Sequence, residues 1–219
     1  MAREFLDQLT ADDRAALLAL GRLRRWPCGA TLFGEGDRST TVVLVISGRA
    51  KVFSLTDQGG EVLLAIRGPG AVVGEMSALD GAPRCASVAA LEPLETVVVP
   101  VRDFRDFLTT HPDAAVCILQ LIVARLRDAD RKRIEFGTYD SLGRVALRLA
   151  ELADRFGQTA ERGVRITLPL TQEELAAWTG SSRESVTKAL RTLRRHGVIE
   201  TSRRSVAVLD VDELRARAR

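Results

Sequence analysis

The chain has 219 residues, of which 46% are hydrophobic and 28% are charged, as in ordinary water-soluble globular proteins. This composition excludes a largely disordered chain, and no apolar run approaches the roughly 18 residues that a membrane-spanning helix needs. The net charge of +3 is unevenly distributed, since residues 141–219 carry 15 Lys and Arg against 10 Asp and Glu, whereas residues 1–140 carry 17 against 19. A basic C-terminal part predicts a polyanionic partner.

The N-terminus lacks the charged-then-apolar pattern of a signal peptide, and we therefore expect a cytoplasmic protein without membrane attachment. Cys28, Cys85 and Cys117 are widely spaced and only two histidines are present, so neither a disulfide framework nor a metal site is expected. Cys28 and Cys85 are predicted to be small buried apolar side chains. No nucleophile stands in a pattern with a histidine base, and we predict that the protein is not an enzyme.

Residues from about 25 to 101 show the pattern of many short β-strands. Glycines divide this region at turn-like intervals, and its apolar residues alternate with a period of two. The alternating runs are Val42, Leu44 and Ile46, and then Val62, Leu64 and Ile66. Such a pattern predicts an antiparallel barrel or sandwich.

A long helix is predicted from about Pro112 to Phe136, because proline suits the first helical turn and the apolar residues then recur at helical spacing. The recurring positions form a narrow seam: Leu119, Ile122, Leu126, Ala129, Arg133 and Phe136. This seam can pack on its own domain or pair with a second chain as a coiled coil. The charges that flank it favour the second interpretation.

The C-terminal part predicts a compact α/β module that begins near residues 137–141. Strand-like runs are expected at Val164–Leu168, at Val206–Leu209 and around Ile199. Between them, Thr171-Gln-Glu-Glu174 forms a capping box that starts a short helix, and Gly180 ends it. Ser181-Ser-Arg-Glu184 predicts a second capping box and a second helix, whose inward face carries Val186, Ala189, Leu190 and Leu193. Two helices joined by such a short turn form a helix-turn-helix.

The outward side of the second helix carries side chains that can contact base edges in DNA. Arg183 and Lys188 can bond guanine, and Glu184 can accept from cytosine. Ser185 and Thr187 can bond phosphates. The remaining predicted DNA contacts are Thr171, Ser182, Arg191 and Arg203, and Arg194, Arg195 and Arg204 extend the positive surface. The alternative is a solvated amphipathic helix with no DNA role.

A second group of polar residues lies in the β region. Gly74 and Glu75 open a short helical turn, and Arg84 follows about ten residues later. Arg84 can form a fork onto a phosphate, and Glu75 can accept from a sugar hydroxyl. Without further information, an ion pair between Glu75 and Arg84 at the surface is the simplest interpretation.

These motifs, in this order, resemble the bacterial cyclic-AMP receptor (CRP/FNR) family of transcription regulators. The resemblance covers essentially the whole chain and rests on Phe33-Gly-Glu-Gly-Asp37, Ile46-Ser-Gly-x-Ala-Lys51, Gly74-Glu75, Pro83-Arg84, Asp140-x-x-Gly143-Arg144 and Leu170–Leu190. It implies an α+β fold with an N-terminal cyclic-nucleotide-binding β-roll of jelly-roll type, a long dimerisation helix and a C-terminal winged helix-turn-helix. The expected boundaries are 1–111, 112–137 and 138–219.

The resemblance also implies a ligand site. Glu75 would bond the ribose 2′-hydroxyl and Arg84 the cyclic phosphate, whereas Cys85 stands where the family usually has Ser or Thr. Ala129 and Asp130 stand where the family uses a Thr followed by Ser or Asn to meet the purine, and a carboxylate at 130 complements guanine better than adenine. Gly74, Met76 and Ser77 complete the predicted ligand-binding set. Cyclic AMP is narrowly the preferred effector over cyclic GMP, while an iron–sulfur cluster or haem is not expected.

The implied function is that of a homodimer whose affinity for a TGTGA-like palindrome in double-stranded DNA is controlled by a cyclic nucleotide. RNA polymerase is the expected protein partner. One alternative is a regulator of the same fold that binds DNA without a cyclic nucleotide or with another ligand. A different class is a cyclic-nucleotide-binding regulatory subunit that acts through protein contacts alone.

Overall fold

The computed structural model describes residues 4–57, 59–168, 171–202 and 205–217. The helices in these ranges are α1 (Phe5–Gln8), α2 (Ala11–Ala19), α3 (Glu75–Asp80), α4 (Val101–Thr110), α5 (Pro112–Thr138), α6 (Ser141–Phe156), α7 (Gln172–Thr179), α8 (Arg183–Arg195) and α9 (Val211–Ala216). The strands are β1 (Arg22–Trp26), β2 (Thr31–Phe33), β3 (Thr41–Ser47), β4 (Ala50–Leu55), β5 (Glu61–Arg67), β6 (Val72–Val73), β7 (Ser87–Ala90), β8 (Leu94–Pro100), β9 (Gly157–Thr159), β10 (Val164–Ile166), β11 (Ile199–Ser202) and β12 (Ser205–Val208).

The chain divides into two compact units. Within the described residues, the N-terminal unit comprises 4–54 and 63–127, and the C-terminal unit comprises 55–62 and 128–217. Helix α5 therefore contributes its residues up to Arg127 to the first unit and its remaining residues to the second.

Two four-stranded sheets build the β-roll, with strand orders β1-β8-β3-β6 and β2-β7-β4-β5. Strand β3 is buried on both faces, because Val42 and Leu44 pack with the helices while Val43 and Val45 pack in the core that includes residues of the second sheet. Its apolar residues are therefore continuous rather than alternating, as expected for a strand that is covered on both sides. The predicted β-roll is confirmed.

The alternation predicted for β5 is right only at its end. Ile66 is buried, but Val62 and Leu64 are 37% and 41% exposed, and Leu63 and Ala65 are buried in their place. Because successive side chains of a strand point to opposite faces, the first part of β5 buries the face that the pattern did not favour. The run from Val62 to Ile66 is apolar at every position, and the sequence pattern could not separate the two faces.

Helices cover the outer face of the first sheet. Phe104 and Phe107 of α4 and Ala114 and Ile118 of α5 are buried in the same core as β3 and β8. In the described part of the chain, no single helix is long and apolar enough to cross a membrane; only α4 and α5 taken together, across a bend of 112°, reach that length and composition.

The long helix has its predicted start at Pro112 and extends to Thr138. Along the predicted seam, Leu119 and Leu126 are each 62% exposed, so the described residues cover little of this apolar face. Ile122 departs from the prediction, because it packs partly against the core of its own unit. The exposed apolar face of the seam is therefore interrupted at Ile122.

The C-terminal unit places helices α6 to α9 with a small sheet of order β11-β12-β10-β9. Strand β9, which pairs with β10, was not predicted because it has only three residues and contains glycine at its start. The other strands lie within one to three residues of the expected positions. This arrangement confirms the predicted winged helix-turn-helix.

Candidate functional site

Arg84 is the centre of the candidate ligand site in the N-terminal unit. Its side chain is buried, stacks on the Phe33 ring at 4.1 Å and donates from Nη1 to the Gly74 carbonyl at 2.9 Å. Its Nη2 donates to the Thr41 carbonyl. Gly74 has a φ of +81°, and a Cβ at this position would lie 2.2 Å from Arg84 Nη1. Glycine is therefore needed here for both its backbone conformation and its lack of a side chain.

The Phe33–Asp37 motif fixes the loop that carries Arg84. The Arg84 amide donates to the Asp37 carbonyl at 2.9 Å, and the Arg84 carbonyl accepts from the Gly36 amide at 2.8 Å. The Asp37 carboxylate also closes its own turn by accepting from the Gly34 amide at 2.8 Å. Backbone hydrogen bonds thus hold together two motifs that are far apart in sequence.

Glu75 is 1% exposed and pairs with Arg125 rather than with Arg84. Arg125 comes from α5, and its Nη2 also donates to the Val72 carbonyl at 2.8 Å. The expected surface ion pair between Glu75 and Arg84 is therefore wrong, and the carboxylate is buried. Sequence reasoning missed Arg125, because it lies 50 residues from Glu75 on a helix outside the β region.

The site leaves one buried acceptor free. Among the described residues, Glu75 Oε2 has no hydrogen-bond partner, whereas Oε1 is engaged by Arg125. A buried oxygen without a hydrogen bond lowers the stability of the protein, so a ligand whose hydroxyl donates to Glu75 Oε2 would remove this penalty on binding. Burial lowers the pKa of the Arg84 guanidinium, and the negative charges of Glu75 and Asp37 raise it. An arginine side chain stays protonated in proteins, so the Arg84 guanidinium is a cation that can bond a phosphate. The free Oε2 of Glu75 can accept from a hydroxyl, and a sugar phosphate supplies both groups.

The other predicted ligand residues lie in different settings. Ser77 is buried and donates to the Pro83 carbonyl at 3.2 Å, and Met76 is 43% exposed. Ala129 and Asp130 lie on exposed positions of α5 in the C-terminal unit.

The prediction that Cys28 and Cys85 are buried is wrong, since both are exposed. Cys85 follows the buried Arg84 at a bend just before β7, where its side chain is exposed. Cys28 lies in a turn beside Gly29, where its thiol donates to the Leu91 carbonyl at 3.2 Å.

The helix-turn-helix is built by local caps. The Thr171 hydroxyl accepts from the Glu174 amide at 3.1 Å and the Glu174 carboxylate accepts from the Thr171 amide at 2.9 Å, which confirms the first capping box. The second predicted box is wrong, because Ser182 is the N-cap of α8 and its hydroxyl accepts from the Ser185 amide at 3.1 Å. The third helical residue is then serine rather than glutamate, so Glu184 is left to face outward.

Helix α8 buries the predicted face and exposes the predicted basic one. Val186, Ala189, Leu190 and Leu193 are buried. Exposed predicted DNA contacts are Thr171, Ser182, Arg183, Glu184, Lys188 and Arg191. Ser185 and Thr187 are partly buried, and the Thr187 hydroxyl is within 2.9 Å of Gln172 Oε1 and of the Arg183 carbonyl. Arg203, together with Arg204 and Leu170, lies outside the described residues.

A buried ion network that the sequence did not reveal joins α5 to α6 within the C-terminal unit. Arg148 is 4% exposed and pairs with Glu135 and with Glu151. Burial and the nearby Arg131 lower the pKa of Arg148, while Glu151 opposes this shift. Since Glu135 precedes α6 and Arg148 lies within it, the network fixes the last turns of α5 onto the module that carries α8.

In comparisons with known proteins, two family models match separate parts of the chain. Residues 23–111 match the cyclic nucleotide-binding domain, and residues 143–217 match the Crp-like helix-turn-helix domain. The chain is 34% identical to a CRP-like cAMP-activated global transcriptional regulator of Mycobacterium tuberculosis, covering 89% of this chain and 87% of that one. It is 33% identical to the cyclic AMP receptor protein of Thermus thermophilus, covering 87% and 86%.

Among solved structures, the c-di-GMP-responsive global regulator CLP of Xanthomonas campestris matches with a TM-score of 0.81 and 25% identity, covering 92% of this chain and 100% of that one. The fold and its two domains therefore define a DNA-binding transcription regulator with a cyclic nucleotide-binding domain. The chain belongs to the bacterial cyclic-AMP receptor (CRP/FNR) family.

Proposed function

We propose that this protein is a homodimeric regulator whose binding to a TGTGA-like palindrome is controlled by a cyclic nucleotide in the β-roll, with RNA polymerase as its partner in transcription. The observation that supports the ligand half is that the buried guanidinium of Arg84 bonds the Gly74 carbonyl, next to Glu75, whose buried Oε2 has no hydrogen-bond partner among the described residues. A cyclic nucleotide supplies both complements, a phosphate and a ribose hydroxyl.

Cyclic AMP is the first candidate effector, because the relatives from M. tuberculosis and T. thermophilus are named for it. Cyclic GMP is the second, because the resemblance assigns the purine to positions 129 and 130 and the carboxylate of Asp130 complements guanine. Cyclic di-GMP is the third, because the similar regulator of X. campestris responds to it.

The exposed apolar face of α5 supports the homodimer. Leu119, Val123 and Leu126 are 62%, 45% and 62% exposed, and they lie at helical spacing on one side. A second copy of the helix would cover this stripe as a coiled coil does. A two-fold symmetric dimer would bind a palindromic DNA site whose half-sites lie one helical turn apart.

Isothermal titration of the purified protein with each of the three nucleotides tests the ligand half, and anisotropy with a labelled TGTGA–TCACA duplex tests the DNA half. We expect one nucleotide to bind at micromolar concentration and to tighten the DNA complex. If none binds below millimolar, the ligand half is wrong. If the protein prefers no duplex over random DNA, with or without nucleotide, the DNA half is wrong.

Replacing Cys85 by serine is expected to tighten cyclic AMP binding. A hydroxyl is a stronger donor than a thiol, and a gained hydrogen bond of about 0.5–1.5 kcal/mol corresponds to about twofold to tenfold in affinity. Because Cys85 is exposed, the exchange should leave the fold intact. Titration of Cys28→Ser, at the other exposed cysteine of the unit, provides the control. An unchanged affinity in Cys85→Ser would remove position 85 from the site.

Replacing Arg183 by alanine is expected to weaken binding to the palindrome by about 1–3 kcal/mol and to remove the preference for one guanine in each half-site. Arg183 is exposed at the first position of α8, so its loss should not unfold the unit. Competition binding with duplexes altered at each base pair measures the preference. If the variant keeps the sequence preference of the parent protein, Arg183 does not read a base.

A further inference from the structure

Glu173 forms an ion pair with Arg183 across the turn of the helix-turn-helix. Arg183 Nε lies 3.1 Å from Glu173 Oε1, and the two side chains are 69% and 60% exposed. Glu173 belongs to the first turn of α7, and Arg183 is the first residue of α8. The pair therefore lies at the end of α8 that is expected to meet base edges.

Folding explains this carboxylate only in part. A negative charge in the first turn of α7 favours the helix modestly, an exposed ion pair adds little stability, and the neighbouring Glu174 already provides the capping box. On a surface that carries Arg183, Lys188 and Arg191, a negative charge also opposes the approach of DNA phosphates. We therefore expect Glu173 to act also through the way it holds Arg183.

The geometry of the pair leaves the reading end of Arg183 free. Glu173 contacts the Nε atom, whereas a guanidinium clasps guanine O6 and N7 with two donors that the terminal Nη groups can supply. Arginine loses rotamer freedom when it is fixed at an interface, and a side chain already held before binding loses less. We propose that Glu173 is a positioning residue that holds Arg183 for guanine and weakens binding to phosphates alone, and so determines specificity; this inference rests on the proposed function.

The test compares the full-length protein with Glu173→Gln, which keeps the size of the side chain and removes its charge. The preferred duplex of each protein is first selected from a random pool in the presence of cyclic AMP, and affinities are then measured for that duplex, for random DNA and for a duplex altered at the guanine that Arg183→Ala no longer prefers. We expect discrimination at that guanine to fall about twofold to fivefold, the equivalent of an exposed ion pair. Affinity for random DNA should rise.

Two further variants separate positioning from charge. Glu200→Gln removes the same charge from another exposed pair of the C-terminal unit, that with Arg162 at 3.2 Å, and should leave the discrimination unchanged. In an Arg183→Ala background, Glu173→Gln should cause no further loss at this guanine. Parental discrimination in Glu173→Gln, or a loss that persists without Arg183, overturns the inference alone. A parent protein that selects no sequence overturns the proposed function as well.

Discussion

Arg84→Leu is expected to abolish binding of the cyclic nucleotide. Leucine removes the charge and every donor that the guanidinium offers to a phosphate, and two charge-assisted hydrogen bonds at about 1.5–3 kcal/mol each correspond to at least about a hundredfold in affinity. The change also leaves the Thr41 and Gly74 carbonyls without the partner they have here, so we expect some loss of stability in the N-terminal unit. Titration with cyclic AMP, beside a thermal unfolding curve, measures both effects.

Arg84→Lys is the matched control, because lysine keeps the charge but not the planar fork. We expect it to bind the nucleotide with an affinity between those of the parent protein and Arg84→Leu. Glu95→Gln, which breaks the exposed pair with Arg25 in the same unit, should bind as the parent does. A folded Arg84→Leu protein that binds cyclic AMP within about threefold of the parent, less than a single such hydrogen bond would cost, would refute the role of Arg84.

The sequence predicted those features that local chemistry determines. A capping box needs only Thr171 and Glu174, three residues apart, and the turn after α7 needs a residue that tolerates a positive φ, which Gly180 supplies at +56°. The helical spacing of the apolar residues likewise predicted the inward face of α8. Because these signals lie within a few residues of one another, the helix-turn-helix could be located without knowledge of the tertiary fold.

Features that depend on distant contacts were missed or misplaced. Arg125 was not identified as the partner of Glu75, because the pairing depends on how α5 packs against the roll. The exposure of Cys85 depends on which side of one loop faces inward. Both features belong to the candidate ligand site, so the resemblance indicated its residues, whereas their contacts and exposure came only from the structure.

The buried network around Arg148 belongs to the same class of long-range features. Glu135 and Arg148 are 13 residues apart and lie on different helices, and each charge is also suited to a solvated helix face. Once both are buried, their pairing is obligatory, because an unpaired charge in the interior is very unfavourable. The stability of the C-terminal unit is therefore expected to depend on a pair that no local motif announces.

Arg148→Met should destabilise the C-terminal unit by about 1–3 kcal/mol, because it leaves the buried Glu135 with Arg131 alone, whose Nε lies 3.5 Å from Glu135 Oε1. Methionine retains much of the volume, so a cavity contributes little. Urea unfolding can be followed by the fluorescence of Trp178 in a Trp26→Phe background, since these are the two tryptophans of the chain and Trp178 lies in this unit. The double variant Arg148→Met, Glu135→Met should recover much of the loss, because it removes both charges. A loss of less than about 1 kcal/mol in the single variant, as for an exposed pair, would mean that the network is solvated and does not hold α5 to α6.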